Sequence, residues 1–127
     1  LGRYKLNFHF HTANEVVENF EYCSDENDKR IFNEKFASGF RYFDDVMSEN
    51  VASNYGKFEV FKTIFENRYS KKSKTIISVN YHDEEDGKQK DVSKTLNAFG
   101  NRYGDRVFDR VFEMFNIIEL TGNSLRR

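Results

Sequence analysis

The chain has no proline, no tryptophan, one cysteine, two methionines and seven glycines in 127 residues. With no proline, no helical pattern in it is interrupted by one. With Cys23 alone, an internal disulfide and a cysteine-based zinc site are both excluded, and a reducing, cytoplasmic compartment is the expectation. No run of about 18 apolar residues occurs, which leaves no segment to span a membrane as a helix. No signal-peptide pattern is present. Also missing are a phosphate-cradling glycine loop, a dinucleotide-binding turn, an EF-hand and a serine-nucleophile elbow.

There is little excess of either charge, with a formal net charge of −1. That argues against nucleic-acid binding by the whole surface. The balance is uneven along the chain. Residues 1–66 carry 8 basic and 12 acidic side chains, and residues 67–127 carry 12 and 9. A local basic patch is therefore permitted in the second half.

What the chain has is phenylalanine. It holds 14 Phe and 7 Tyr, and each buried aromatic ring removes roughly 150–250 Å² from water. That is ample for a core and unlike a disordered chain. The length is that of one domain. Usage rich in Asn, Lys, Ile, Phe and Tyr is the style of AT-rich coding, which fits a phage, mobile-element or parasite accessory protein.

Hydropathy patterning predicts a strand over 4–11. Alternation places Leu6, Phe8 and Phe10 on one face and Asn7, His9 and His11 on the other, so the imidazoles are expected opposite the apolar face. Thr12-Ala13-Asn14-Glu15 matches a capping box and predicts a helix to about Tyr22. Phe32, Phe36, Phe40, Phe43 and Met47, spaced 4, 4, 3 and 4, predict a second helix over 29–49, capped by Asp28. A turn over 50–56 leads to a helix over 57–69, then a strand over 74–82 in which Ile77 and Val79 oppose Ile76 and Ser78. Residues 88–99 read equally as a strand or a short helix. A last helix covers 105–118, and 119–127 reads as a frayed tail. The expected architecture is a single small α+β domain, a short sheet packed against several Phe-rich amphipathic helices.

Four groups of residues are candidate sites. His9 and His11, two apart on a strand, can pinch a divalent metal, with His82 or Glu15 as a third ligand. Arg68, Lys71, Lys72 and Lys74, beside Tyr69, form a basic connector suited to a phosphate backbone and a stacked base. Arg102, Arg106 and Arg110, each followed three residues on by a carboxylate, read as a self-neutralised helix face. Arg41, Tyr42, Tyr55 and Tyr103 are residue types enriched at protein–protein hot spots.

His9-Phe10-His11 resembles the metal-binding motif of the HUH nucleases, and Tyr69-Ser70-Lys71-Lys72 has the Tyr-x-x-Lys spacing of that family. The resemblance covers three residues plus four. It implies a metal on His9, His11 and a third ligand, with Tyr69 attacking a single-strand phosphate beside Lys72. His9-Phe10-His11-Thr12 also resembles the opening of the PHP-type phosphoesterases, a family that needs many more ligands.

The leading expectation is a binding protein rather than an enzyme. It would be a regulator or inhibitor acting on a protein partner, without cofactor, membrane attachment or catalytic residues. The alternative is a nucleic-acid-binding or metal-dependent nicking protein.

Overall fold

A computed structural model describes residues 7–80 and 92–119. In chain order they form β1 (His9–Thr12), α1 (Ala13–Glu21), α2 (Glu26–Ala37), β2 (Arg41–Val46), α3 (Val60–Lys71), β3 (Thr75–Val79), α4 (Val92–Tyr103) and α5 (Asp105–Met114). The molecule is a small single α+β domain with one open sheet of three parallel strands, in the order β1-β2-β3.

The passage from strand to helix at Thr12 follows from its capping box. Thr12 Oγ1 accepts from the Glu15 amide at 3.3 Å, and Glu15 Oε1 accepts from the Thr12 amide at 3.2 Å. The helix predicted over 29–49 is two elements. It starts earlier, at Glu26, because Asp25 and not Asp28 is the cap: Asp25 Oδ1 accepts from the Asp28 amide at 2.8 Å. It stops at Ala37. Gly39 then takes a left-handed φ of +83°, which glycine adopts without steric cost, and β2 begins at Arg41.

Phe43 and Val46 are both buried although three residues apart. A bulge explains this. Asp44 and Asp45 stand where β3 has only Ser78, because Phe43 pairs with Ile77 and Val46 with Val79. Asp45 has φ +63°, and the extra residue returns Val46 to the core face. A helical spacing was thus met partly by a helix and partly by a bulged strand. The segment predicted as strand or helix resolves to α4 where it is described, and the last helix ends at Met114 rather than 118.

Parallel strand–helix–strand connections are right-handed. Two crossovers that step the same way, from β1 to β2 and from β2 to β3, therefore put their helices on one face of the sheet. The core lies there. The Phe43 ring sits 5.2 Å from that of Phe61 on α3 and 6.4 Å from Phe36 on α2. Phe20 reaches Phe32 and Phe58, each at 5.2 Å. The last two helices stay on this side. Phe99 and Tyr103 pack on Phe65 of α3, with ring centroids 5.8 and 5.7 Å away. Gly100 lets α5 approach closely, since a Cβ there would lie 2.7 Å from Phe108 Cδ1.

Two arginines tie loops to this frame. Arg68, read from the sequence as part of a basic surface, is fully buried. It donates to the carbonyls of Phe36, Ser38, Gly39 and Lys74 and to Thr75 Oγ1. Arg102 leaves its own helix face. It bonds Glu59 at 2.8 Å and the carbonyls of Met47 and Glu49 at 2.7 Å each, while the buried Glu49 carboxylate accepts the Tyr103 hydroxyl. Burial and the Glu49 carboxylate push the Tyr103 phenol strongly upward, so it stays a donor.

Candidate functional site

Alternation on three parallel strands gives the sheet a second face, and its side chains fall in three rows. Nearest the amino ends lie Phe8, Phe40 and Lys74; next come Phe10, Tyr42 and Ile76; at the carboxyl ends lie Thr12, Asp44 and Ser78. The rings on this face touch one another. Phe8 lies 5.5 Å from Phe40 and 6.1 Å from Tyr42, and Phe10 lies 5.1 Å from Tyr42. None of them belongs to the buried cluster. Phe10 is 54% exposed and Ile76 40%. Among the described residues, no ring contact or hydrogen bond joins Phe8, Phe10, Tyr42 or Ile76 to a helix. The carboxyl-end row is polar and internally bonded: Ser78 Oγ donates to Asp44 Oδ1 at 2.6 Å and accepts from the Asp45 amide at 3.0 Å.

Comparison with protein-family models, curated proteins and solved structures finds no match to the chain. No described helix is long and apolar enough to cross a membrane. What the surface can do must therefore come from its own chemistry.

All-parallel sheets are normally covered on both faces, and their strands read apolar on both sides. Doubly wound sheets obtain the second helical layer by reversing strand order. This sheet does not reverse, so its crossovers cover one face and leave an aromatic one. The sequence reading assigned these faces the wrong way round. His11, not Phe10, turns toward the helices. Its ring stands 5.1 Å from Phe36 and 5.7 Å from Phe43. The cause is register: His9 and His11 pair with Arg41 and Phe43, and those two side chains point into the helical layer.

His11 is held in one state there. Arg41 Nη1 lies 3.0 Å from His11 Nε2. A guanidinium only donates, so Nε2 accepts and the neutral ring carries its proton on Nδ1, 3.7 Å from Glu15 Oε1. Burial above all, then the Arg41 charge, pulls the imidazole below its ordinary value of 6.5; Glu15 opposes this, and Lys35 and His9 add smaller contributions to the fall. The unfolded chain therefore binds the proton first. Stability supplied by neutral His11 is complete above pH 6.5 and is lost as pH falls below it, until the folded ring also protonates. Urea midpoints at pH 7.5 and 5.5 are expected to drop for the wild type and to converge for His11→Gln. Equal drops in both would remove His11 as the cause.

The metal reading meets this geometry directly. The Nε2 lone pair of His11 is occupied by Arg41, and Glu15 serves the helix cap. No cluster of three His, Cys, Asp or Glu side chains that could hold a metal occurs among the described residues, and His82 lies outside them. Tyr69 is committed elsewhere. Its hydroxyl donates to Glu113, and the Arg110 guanidinium stands 4.6 Å over its ring. The structure thus turns Tyr69 toward α5 and His11 toward α2 and β2, and Lys72 is the exposed left-handed C-cap of α3.

Of the basic connector, Lys71, Lys72 and Lys74 are exposed, whereas Arg68 has spent its donors inside. Of the proposed hot-spot residues, Arg41 and Tyr103 are buried and structural. Tyr55 bonds the Asp25 carbonyl at 3.0 Å beneath the Lys29 ammonium. Only Tyr42 lies on the open face. Arg102 pairs with Glu59, the N-cap of α3, and Arg106 with Glu66 on α3, while Arg110 stands over the Tyr69 ring. Phe8, Phe40 and Ile76 were missed. Their signal was present in Phe40/Tyr42 flanking Arg41 and in the adjacent Ile76-Ile77, apolar runs of the kind parallel strands carry.

Proposed function

We propose that this domain is a non-catalytic interaction protein that binds a protein partner through the open face of its sheet. One observation carries the reading: Phe8, Phe10, Phe40, Tyr42 and Ile76 form a contiguous apolar surface on the side of a parallel sheet that no described helix covers. Aromatic anchors on a rigid sheet suit a hot spot, since burying them needs little side-chain ordering. Binding of this kind regulates or inhibits the partner by occupying its surface. A reducing compartment suits the single thiol of Cys23, which burial and the Asp28 and Asp25 charges keep protonated.

Photo-crosslinking tests the assignment. A benzophenone amino acid at position 10 is expected to give discrete protein adducts in extracts of the source organism. The same group at Ile31, an equally exposed apolar position on α2, should give none. Adducts of equal yield from both positions, or none from position 10, would remove the open face as the binding surface.

A further inference from the structure

We infer that the partner presents a single amphipathic α-helix to this face, running antiparallel to the strands; this rests on the protein-binding reading above. The dimensions select a helix. Neighbouring strands lie about 4.8 Å apart, so three of them span about 10 Å between outer axes, which is the diameter of one helix with its side chains. Along the strands, Lys74 and Asp44 stand four registers apart, or about 13 Å. About nine helical residues cover that length, and the domain's own helices are of that order, nine residues in α1 and twelve in α3.

Charge selects the direction. Asp44 and Asp45 mark the carboxyl end of the face, while Lys74, exposed and without an ion pair among the described residues, marks the amino end. A helix carries partial positive charge at its N-terminus and negative at its C-terminus. Antiparallel to the strands, its positive end meets Asp44 and Asp45 and its negative end meets Lys74. The crossover helices of a parallel sheet run the same way, so the docked helix would supply the layer that the strand order omits.

Two fluorescent 14-residue helical peptides test this. Both carry one leucine stripe and an outer-face staple that equalises helicity. One has lysines in its first turn and glutamates in its last, matching the antiparallel pose; the other has them reversed. Anisotropy titrations with the full chain are expected to show saturable binding, about threefold tighter for the matching peptide. Lys74→Glu, a substitution at an exposed position, should abolish or invert the preference, and Phe10→Glu should abolish binding of both. Equal affinity for the two peptides, or a preference untouched by Lys74→Glu, overturns the direction. Failure of both peptides alongside a position-10 cross-link overturns the helix while leaving the docking face. Failure of the cross-link as well removes the face itself. A dimer by sedimentation that Phe10→Glu dissociates would make a second copy the occupant and overturn the proposal.

Discussion

Replacing Arg68 with methionine is expected to remove about 4 kcal/mol of stability, most of what a small domain has to lose. The side chain is fully buried and sees no carboxylate among its hydrogen-bond partners. Instead its fan of N–H groups collects the main-chain oxygens of Phe36, Ser38 and Gly39 at the α2–β2 turn and of Lys74 just before β3, together with the side-chain Oγ1 of Thr75. These are the groups left over where a helix ends and two strands begin. Burial first, and the Arg41 charge second, lower the guanidinium to about 10, so it remains charged at neutral pH and its bonds are charge-assisted. Methionine fills similar volume but supplies none of these donors; Ser38 O keeps Arg41 Nε and Lys74 O keeps the Arg41 amide, while each oxygen left without a partner where water cannot reach costs about 1–3 kcal/mol. Lysine keeps the charge but has three donors on one atom, so about half the loss is expected from Arg68→Lys. Urea denaturation of the three proteins measures this. A loss below about 1.5 kcal/mol for the methionine variant would mean that water replaces the arginine.

The same arginine shows where sequence reading stops. Arg68 lies in a run of basic residues ahead of a strand, and nothing local separates it from Lys71, Lys72 and Lys74. Only tertiary structure brings the Ser38–Gly39 turn over it. Local features were legible: the Thr12 capping box, the apolar stripe of α3, and the alternation that puts Ile77 and Val79 on the core side. Features that depend on which strand lies beside which were not. Phe32, Phe36, Phe40 and Phe43 fit one helical period, and only the left-handed Gly39 breaks it. Once residues 41–46 are a strand, the sheet is parallel, the histidines pair with Arg41 and Phe43, and both faces of β1 exchange roles. The candidate site moved for that one reason. His11 packs on Phe36 and Phe43, and Phe10, expected on the apolar face, is exposed.

Opposite responses from neighbouring aromatics are the sharpest consequence of that exchange. Phe43→Ala is expected to cost about 4 kcal/mol. Its ring is fully buried between Phe36 and Phe61, with His11 stacked at 5.7 Å and the Arg68 guanidinium 5.6 Å away, so the cavity would be lined by groups that cannot collapse into it. Phe10→Ala, one strand away and on the other face, should change stability by about 0.5 kcal/mol, because Phe10 is 54% exposed and, among the described residues, its ring meets only that of Tyr42. Partner affinity should move the other way. Phe10→Ala is expected to weaken binding at least about 30-fold, the effect of truncating a central aromatic anchor, whereas a conservative change at the core, Phe43→Leu, should weaken it only as far as the protein unfolds. Urea midpoints and titrations of the cross-linked partner, once purified, measure the two quantities on the same four proteins. If Phe10→Ala unfolded the domain as Phe43→Ala does, Phe10 would be core and the open face would be covered by the chain itself. If it altered neither quantity, the aromatic rows would be inert surface. Loss of binding without loss of stability is the outcome expected of the docking face proposed above.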